Sequence, residues 1–129
     1  MFSGSDDGNV CVWNTKTWNC EKTLIGAHTG GVTAISIHPS GKLAVTVGKD
    51  RSMKTWNLIK GRTAYVTNIK AIADTVKWSP EGTVWAVSIS NIVNIYEVKA
   101  AGIKHTIDFK NRINVVLFIN VRMIIFTDL

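Results

Sequence analysis

The chain reads as an all-β protein built from repeats of a four-stranded antiparallel sheet. Residues 3–14 (SGSDDGNVCVWN) align without a gap on residues 46–57 (TVGKDRSMKTWN) at an offset of 43, which sets Ser3 on Thr46, Asp7 on Asp50 and Trp13 on Trp56. A second landmark, IHPSG at 37–41, returns as WSPEG at 78–82, at an offset of 41. Two independent spacings of nearly the same length mark a repeat architecture in which each period is one supersecondary unit. Between the landmarks, runs of about six residues rich in Val, Ile and Thr alternate with Gly, Pro, Asp and Asn turns, the pattern of an antiparallel meander. Helix-period apolar stripes and helix caps are absent from the sequence.

The fullest unit opens at Gly26-x-His28 and closes its third strand at Trp56-Asn57. Strands are expected at 31–38, 42–47, 52–58 and 62–69. The first turn is His38-Pro39-Ser40-Gly41, where proline presets φ for the second position of a type I turn and glycine suits its last. The second is Gly48-Lys49-Asp50-Arg51, and the third lies near Lys60-Gly61. The next unit repeats the plan at 74–79, 83–89, 92–98 and 103–109, with Tyr96-Glu97 where Trp56-Asn57 stood. Its second turn is one residue shorter, Asn91 lies nearest the place of Asp50, and no Gly-His precedes it, so this unit is expected to be the softer of the two. The first unit begins inside its second strand, and the last starts at Ile113 and holds two strands. The pieces are therefore 1–25, 26–69, 70–109 and 110–129, or about three sheets divided as half, one, one and half.

Composition narrows the function classes. The chain has 129 residues, 46% of them hydrophobic, and a formal net charge of +6. Residues 42–77 hold eight Lys or Arg against Asp50 and Asp74, so the whole excess sits in the middle third. Such a block can attract RNA or an acidic protein surface, although basic residues spaced through strands commonly form a solvated face. Cys11 and Cys20 have no CxxC or His partner at zinc-ligand spacing, and the start MFSGSDDG has neither the basic nor the apolar region of a secretory signal. An intracellular, reducing setting with free thiols is expected, although a bridge across the hairpin is not ruled out by spacing. Residues 113–126 are too short for a membrane span and are interrupted by Asn114, Asn120 and Arg122. Ser5-Asp6-Asp7-Gly8 is a β-turn rather than a calcium loop, which needs twelve residues and a closing Glu. No GxGxxG or Walker pattern occurs, so neither a cofactor nor a small-molecule substrate is implied. Trp13, Trp56, Trp78 and Trp85 fall inside strands as core candidates, and Trp18, at the start of an outer strand, is the one expected at the surface.

These residues resemble the WD40-repeat family, through Gly26-x-His28, the aspartate of the second turn and the Trp56-Asn57 close. All 129 residues can be placed on that family's four-strand plan. The resemblance implies a β-propeller, here as a fragment, since a closed ring takes at least four blades and commonly about 300 residues. It also implies a structural tetrad of His28, Thr46, Asp50 and Trp56, in which Asp50 accepts from His28 and Trp56 donates its indole N–H to Thr46. Ser3, Asp7 and Trp13 are the corresponding residues of the first unit. Such buried polar groups are tolerable only when each is satisfied, and then they fix strand register. A rival reading makes His28 and Asp50 two parts of a catalytic triad. No Ser or Cys sits in a nucleophile-elbow setting, so no catalytic residue and no enzyme activity are expected.

Turns of a four-strand blade alternate between two rims. Lys49, Arg51 and Lys70 are expected on one rim as candidates for partner binding, with Lys42, Lys60 and Arg62 on the other. Two small patches argue against extended RNA binding, which needs many phosphate contacts on one face. The runs at 3–24, 30–50 and 77–82 are most similar to WD40 members that act in large-ribosomal-subunit assembly and bind p21-activated-type kinases. The resemblance therefore implies a nuclear, nucleolar scaffold for pre-ribosomal assembly factors and such a kinase, whose activation it restrains, with direct RNA binding as the alternative.

Overall fold

The computed structural model describes residues 1–98, 103–109, 112–119 and 122–127. Among them are thirteen strands and no helix. The first sheet is β1 (Phe2–Gly4), β2 (Val10–Trp13) and β3 (Cys20–Leu24). The second is β4 (Val32–Ile37), β5 (Leu43–Gly48), β6 (Ser52–Asn57) and β7 (Arg62–Asn68). The third is β8 (Thr75–Trp78), β9 (Val84–Ile89), β10 (Ile92–Glu97) and β11 (Ile103–Asp108), and the fourth pairs β12 (Ile113–Ile119) with β13 (Arg122–Thr127). Every sheet is a simple antiparallel meander with sequence neighbours paired. The all-β, propeller-type plan read from the sequence is therefore observed, with the strands of the second and third units ending within about a residue of their expected limits. The boundary expected at 110 and the break at Asn120 lie outside the described residues.

A local irregularity repeats with the sheets. The outermost strand gains one residue opposite the aromatic of its neighbour: Glu21 between the partners of Val12 and Trp13, Ala64 between those of Thr55 and Trp56, and Lys104 between those of Ile95 and Tyr96. Such bulges increase local twist and disturb the unpaired edge as a template for further strands.

Alternation along each strand sends side chains to two faces, and the sheets stack so that inner faces meet. Val10, Leu24, Ala27, Ala44 and Trp56 form the core between the first and second sheets. Val45, Val47 and Met53 on the other face of the second sheet pack against Val76, Trp78, Trp85, Val87 and Tyr96 of the third. Ala86, Val93, Ile113 and Val116 join the third sheet to the fourth. Trp13 is half-buried, while Trp18 is 62% exposed. Contrary to the expected strand position, Trp18 lies in the turn before β3, where its N–H donates to the Asn14 carbonyl at 2.7 Å with φ at 59°. The turn closes early because Asn14 Oδ1 accepts from the amides of Lys16 and Thr17.

Candidate functional site: a buried polar relay beneath a basic rim

His28 arrives from the connection between β3 and β4, Thr46 from β5, Asp50 from the β5–β6 turn and Trp56 from β6. Trp56 Nε1 donates to Thr46 Oγ1 at 2.9 Å, and Thr46 Oγ1 lies 2.6 Å from His28 Nε2. With its oxygen accepting from the indole, the Thr46 hydroxyl is free to donate to Nε2. That assigns the imidazole proton to Nδ1, which lies 2.9 Å from Asp50 Oδ1. A continuous chain of donors thus runs from indole through hydroxyl and imidazole to carboxylate. Chain packing makes room for it: a Cβ on Gly48 would overlap the His28 ring, and one on Gly8 would overlap the His28 carbonyl oxygen.

Burial lowers the His28 pKa below its ordinary 6.5, against the opposing hydrogen bond and charge of Asp50. Burial pulls the Asp50 carboxyl the other way, upward, but hydrogen bonds from Ser52 and His28 outweigh it and hold the group at about 2. At neutral pH the relay is a neutral imidazole on an ionised carboxylate.

Ser52 is the member the sequence reading missed. Its hydroxyl donates to Asp50 Oδ1 at 2.7 Å, its amide donates to the same oxygen at 3.1 Å, and His28 Nδ1 lies 2.9 Å from Ser52 Oγ. The amide of Thr29 donates to the other carboxylate oxygen at 3.2 Å. The signal was present as Asp-x-Ser, the spacing at which an Asp side chain caps the backbone two residues on. The first sheet carries part of the same design. Trp13 Nε1 donates to Ser3 Oγ at 2.9 Å, and the Asn9 amide donates to Asp7 Oδ1 at 3.0 Å. Hydrogen bonds from Ser5 and then from the Asn9 amide hold the Asp7 carboxyl below its ordinary pKa. Among the described residues no histidine links these two halves.

The order Thr46–His28–Asp50 has the connectivity of a catalytic triad without its setting. His28 is 1% exposed and Thr46 0%, and the threonine oxygen already accepts from an indole. A nucleophile must reach the substrate, and this hydroxyl does not reach the surface. Among the described residues no group of His, Cys, Asp and Glu is arranged to hold a metal ion, and no helix is long and apolar enough to cross a membrane. Cys11 and Cys20 are free thiols, each lying against the Thr23 hydroxyl.

The three rim candidates lie over the relay at one end of the second sheet but are not equivalent. Lys49 and Arg51 flank Asp50 in the turn, and the Ile69 amide donates to the Arg51 carbonyl at 3.0 Å, which brings Lys70 alongside. All three are exposed, but Lys49 Nζ lies 3.8 Å from Asp6 Oδ1 of the first sheet, whereas among the described residues Arg51 and Lys70 make no ion pair. At the opposite end, the Leu58 amide donates to the Lys42 carbonyl at 2.9 Å, which sets Lys42 near the turn that carries Lys60 and leads into Arg62.

Comparison with known proteins matches this sequence to named relatives. Residues 1–14 and 18–57 match the family model described as WD domain, G-beta repeat. The p21-activated protein kinase-interacting protein 1-like protein of Gallus gallus is 49% identical over 119 residues, which is 92% of this chain and 32% of that protein. The p21-activated protein kinase-interacting protein 1 of Homo sapiens is 48% identical over 86 residues, 67% of this chain and 22% of that protein. More distantly, the small ribosomal subunit protein RACK1y of Oryza sativa subsp. japonica is 31% identical over 101 residues, 78% of this chain and 30% of that protein. The chain thus spans a third or less of the length of these relatives. With its repeat spacing, its four-strand meanders and these matches together, the chain belongs to the WD40-repeat family.

Proposed function

We propose that the chain is a non-enzymatic protein-interaction scaffold, whose buried relay serves as a structural tetrad holding strand register while the rim turns above it hold partners. A p21-activated-type kinase is one such partner, and binding restrains its activation. The observation that carries this reading is near-half identity, over 92% of the chain, to a protein named for interacting with that kinase. The exposed turns on rigid sheets fit the role, because binding residues are commonly carried on loops positioned by a stiff scaffold. A second role, in nucleolar assembly of the large ribosomal subunit with pre-ribosomal factors, rests on the resemblance of residues 3–24, 30–50 and 77–82. The kinase reading is tested by immobilising the regulatory segment of a p21-activated kinase and titrating the chain over it. Saturable binding with slowed kinase activation is expected, and no binding at high micromolar concentration rejects it.

Direct RNA binding through Lys49, Arg51 and Lys70 is the competing reading. It is the weaker because three candidate cations, one of them 3.8 Å from Asp6 Oδ1, fall short of the many phosphate contacts that such binding needs. A steep loss of RNA affinity with rising salt supports it, and no measurable affinity removes it.

A further inference from the structure

Among the described residues, three of the four left-handed ones that carry a side chain stand where a neighbouring repeat uses glycine. Arg51 (φ 63°) closes its turn with its amide donating to the Gly48 carbonyl, as Gly8 (φ 85°) does to the Ser5 carbonyl 43 residues earlier. Lys70 (φ 63°) lies two residues past the end of β7, as Gly26 (φ 66°) lies two past β3. In both connections that amide donates to an asparagine side chain, Asn68 Oδ1 at 2.8 Å and Asn9 Oδ1 at 2.9 Å. Trp18, in place of Gly61, is at the other rim, and Ser90 belongs to a two-residue hairpin turn that requires positive φ. Left-handed backbone is costly for a residue with a Cβ and tends to be kept where the side chain serves a purpose.

Of the three cations on this rim, Arg51 and Lys70 are brought side by side by the bond from the Ile69 amide to the Arg51 carbonyl. On either side of them, ion pairs close the neighbouring boundaries: Lys49 with Asp6 between the first and second sheets, and Arg112 with Asp74 at 3.1 Å toward the fourth. Among the described residues Arg51 and Lys70 make no ion pair. The carboxylate beside Arg51 does not neutralise it, because Asp50 turns inward to His28, Ser52 and the Thr29 amide. We infer that Arg51 and Lys70 together form a seat for a carboxylate-bearing, Asp/Glu-rich segment of a partner protein. Two cations suit a short acidic segment rather than a nucleic-acid strand, which needs a longer track of charge and exposed rings for stacking. Trp56, Trp78, Trp85 and Tyr96 are all buried, exposed Trp18 is at the opposite rim, and exposed Tyr65 lies mid-strand in β7, five residues before Lys70. The proposal sharpens the scaffold reading, on which it rests in taking the partner to be a protein, and it leaves Lys49 out of the seat.

Glycine substitution separates charge from folding here, because it removes the cation and relieves the backbone at once. The test titrates the isotope-labelled chain with an octaglutamate peptide, and in parallel with a twelve-nucleotide oligouridine, while amide signals are followed by NMR. Octaglutamate is expected to shift residues 50–51 and 69–70. The double variant Arg51→Gly/Lys70→Gly should keep or raise Tm while losing at least about fivefold in peptide affinity, and Lys49→Ala should change it by less than about twofold. The seat is overturned if the double variant binds octaglutamate as well as the parent, or if millimolar peptide shifts nothing. It is equally overturned if oligouridine moves the same amides at lower concentration than the peptide. Peptide binding that persists when the kinase segment fails to bind would support the seat and reject the kinase as its partner.

Discussion

The second and third sheets present the same backbone to the sheet before them and fill it with opposite chemistry. In the second sheet Trp56 pairs with Ala44, and Ile35 pairs with Thr46. In the third the matching pairs are Tyr96 with Trp85 and Val76 with Val87. Valine therefore stands where the relay has its hydroxyl, and a large ring stands where it has alanine. Trp85 and Tyr96 stack at 5.6 Å and 11°, Trp78 leans on Trp85 at 4.8 Å, and Trp85 Nε1 donates to Met53 Sδ at 3.3 Å. Burial raises the Tyr96 pKa, as a phenol set in an apolar stack requires. Without a histidine to receive it, a hydroxyl at position 87 would be buried without the partner that Thr46 finds, so the whole set of residues changes together. The expectation of a softer third unit considered only the missing polar chain; the rings supply a different source of cohesion.

The largest effect should come from cutting the aromatic side. Trp85→Ala removes a buried ring from between Trp78 and Tyr96 and should cost about 3–5 kcal/mol in denaturant unfolding. A loss below about 1 kcal/mol would mean that the stack contributes little. On the relay side, Gly48→Ala forces a methyl into the His28 ring and should cost about 3 kcal/mol, close to the upper end for overpacking. An unchanged Tm would show that His28 has room to move. Asp50→Ala leaves the Ser52 hydroxyl and amide and the Thr29 amide short of an acceptor, with only Ser52 Oγ left to His28 Nδ1, and should cost about 2 kcal/mol. The structural-tetrad role does not survive a neutral result there.

Acid should separate the two boundaries with the smallest perturbation. The folded His28 pKa lies below 6.5, so the unfolded chain takes up that proton first. Stability that His28 contributes is complete above about pH 6.5 and drains away as pH falls below it. Asp50, at about 2 against an ordinary 3.8, adds a second loss as pH falls below 3.8 toward 2. Hydrogen exchange, corrected for intrinsic rates, should show β5 and β6 losing protection between pH 7 and 5 while β9 and β10 hold theirs. Equal losses in both sheets would place the acid sensitivity elsewhere.

Much of this protein was legible in residue order. Strand positions, turn types and the repeat follow from bonds and steric preferences that span two to five residues. Pro39 and Gly41 set one turn, Asp50 and Ser52 another, and Asn57 Oδ1 caps the third by accepting from the amides of Ile59 and Lys60. The offset of 43 also brought Trp13 and Trp56 into correspondence, together with the hydroxyls of Ser3 and Thr46 to which they donate.

Packing between sheets decided the rest, because it joins residues about forty apart whose meeting depends on which faces turn together. Valine suits position 87 because it packs with Val76, Trp85 and Tyr96 in one apolar cluster, and Gly48 matters only because His28 lies across it. His38 shows the same limit: it looked like one turn residue among four, yet its Nε2 lies 2.9 Å from the Gly82 carbonyl of the next sheet, and its ring meets Trp78 edge-on at 4.7 Å. Charge behaves likewise. The order of residues puts Lys49, Arg51 and Lys70 on one rim, but only the meeting of the first two sheets brings Lys49 Nζ to 3.8 Å from Asp6 Oδ1, and only the connection that carries His28 completes the inward hold on Asp50 that Ser52 begins.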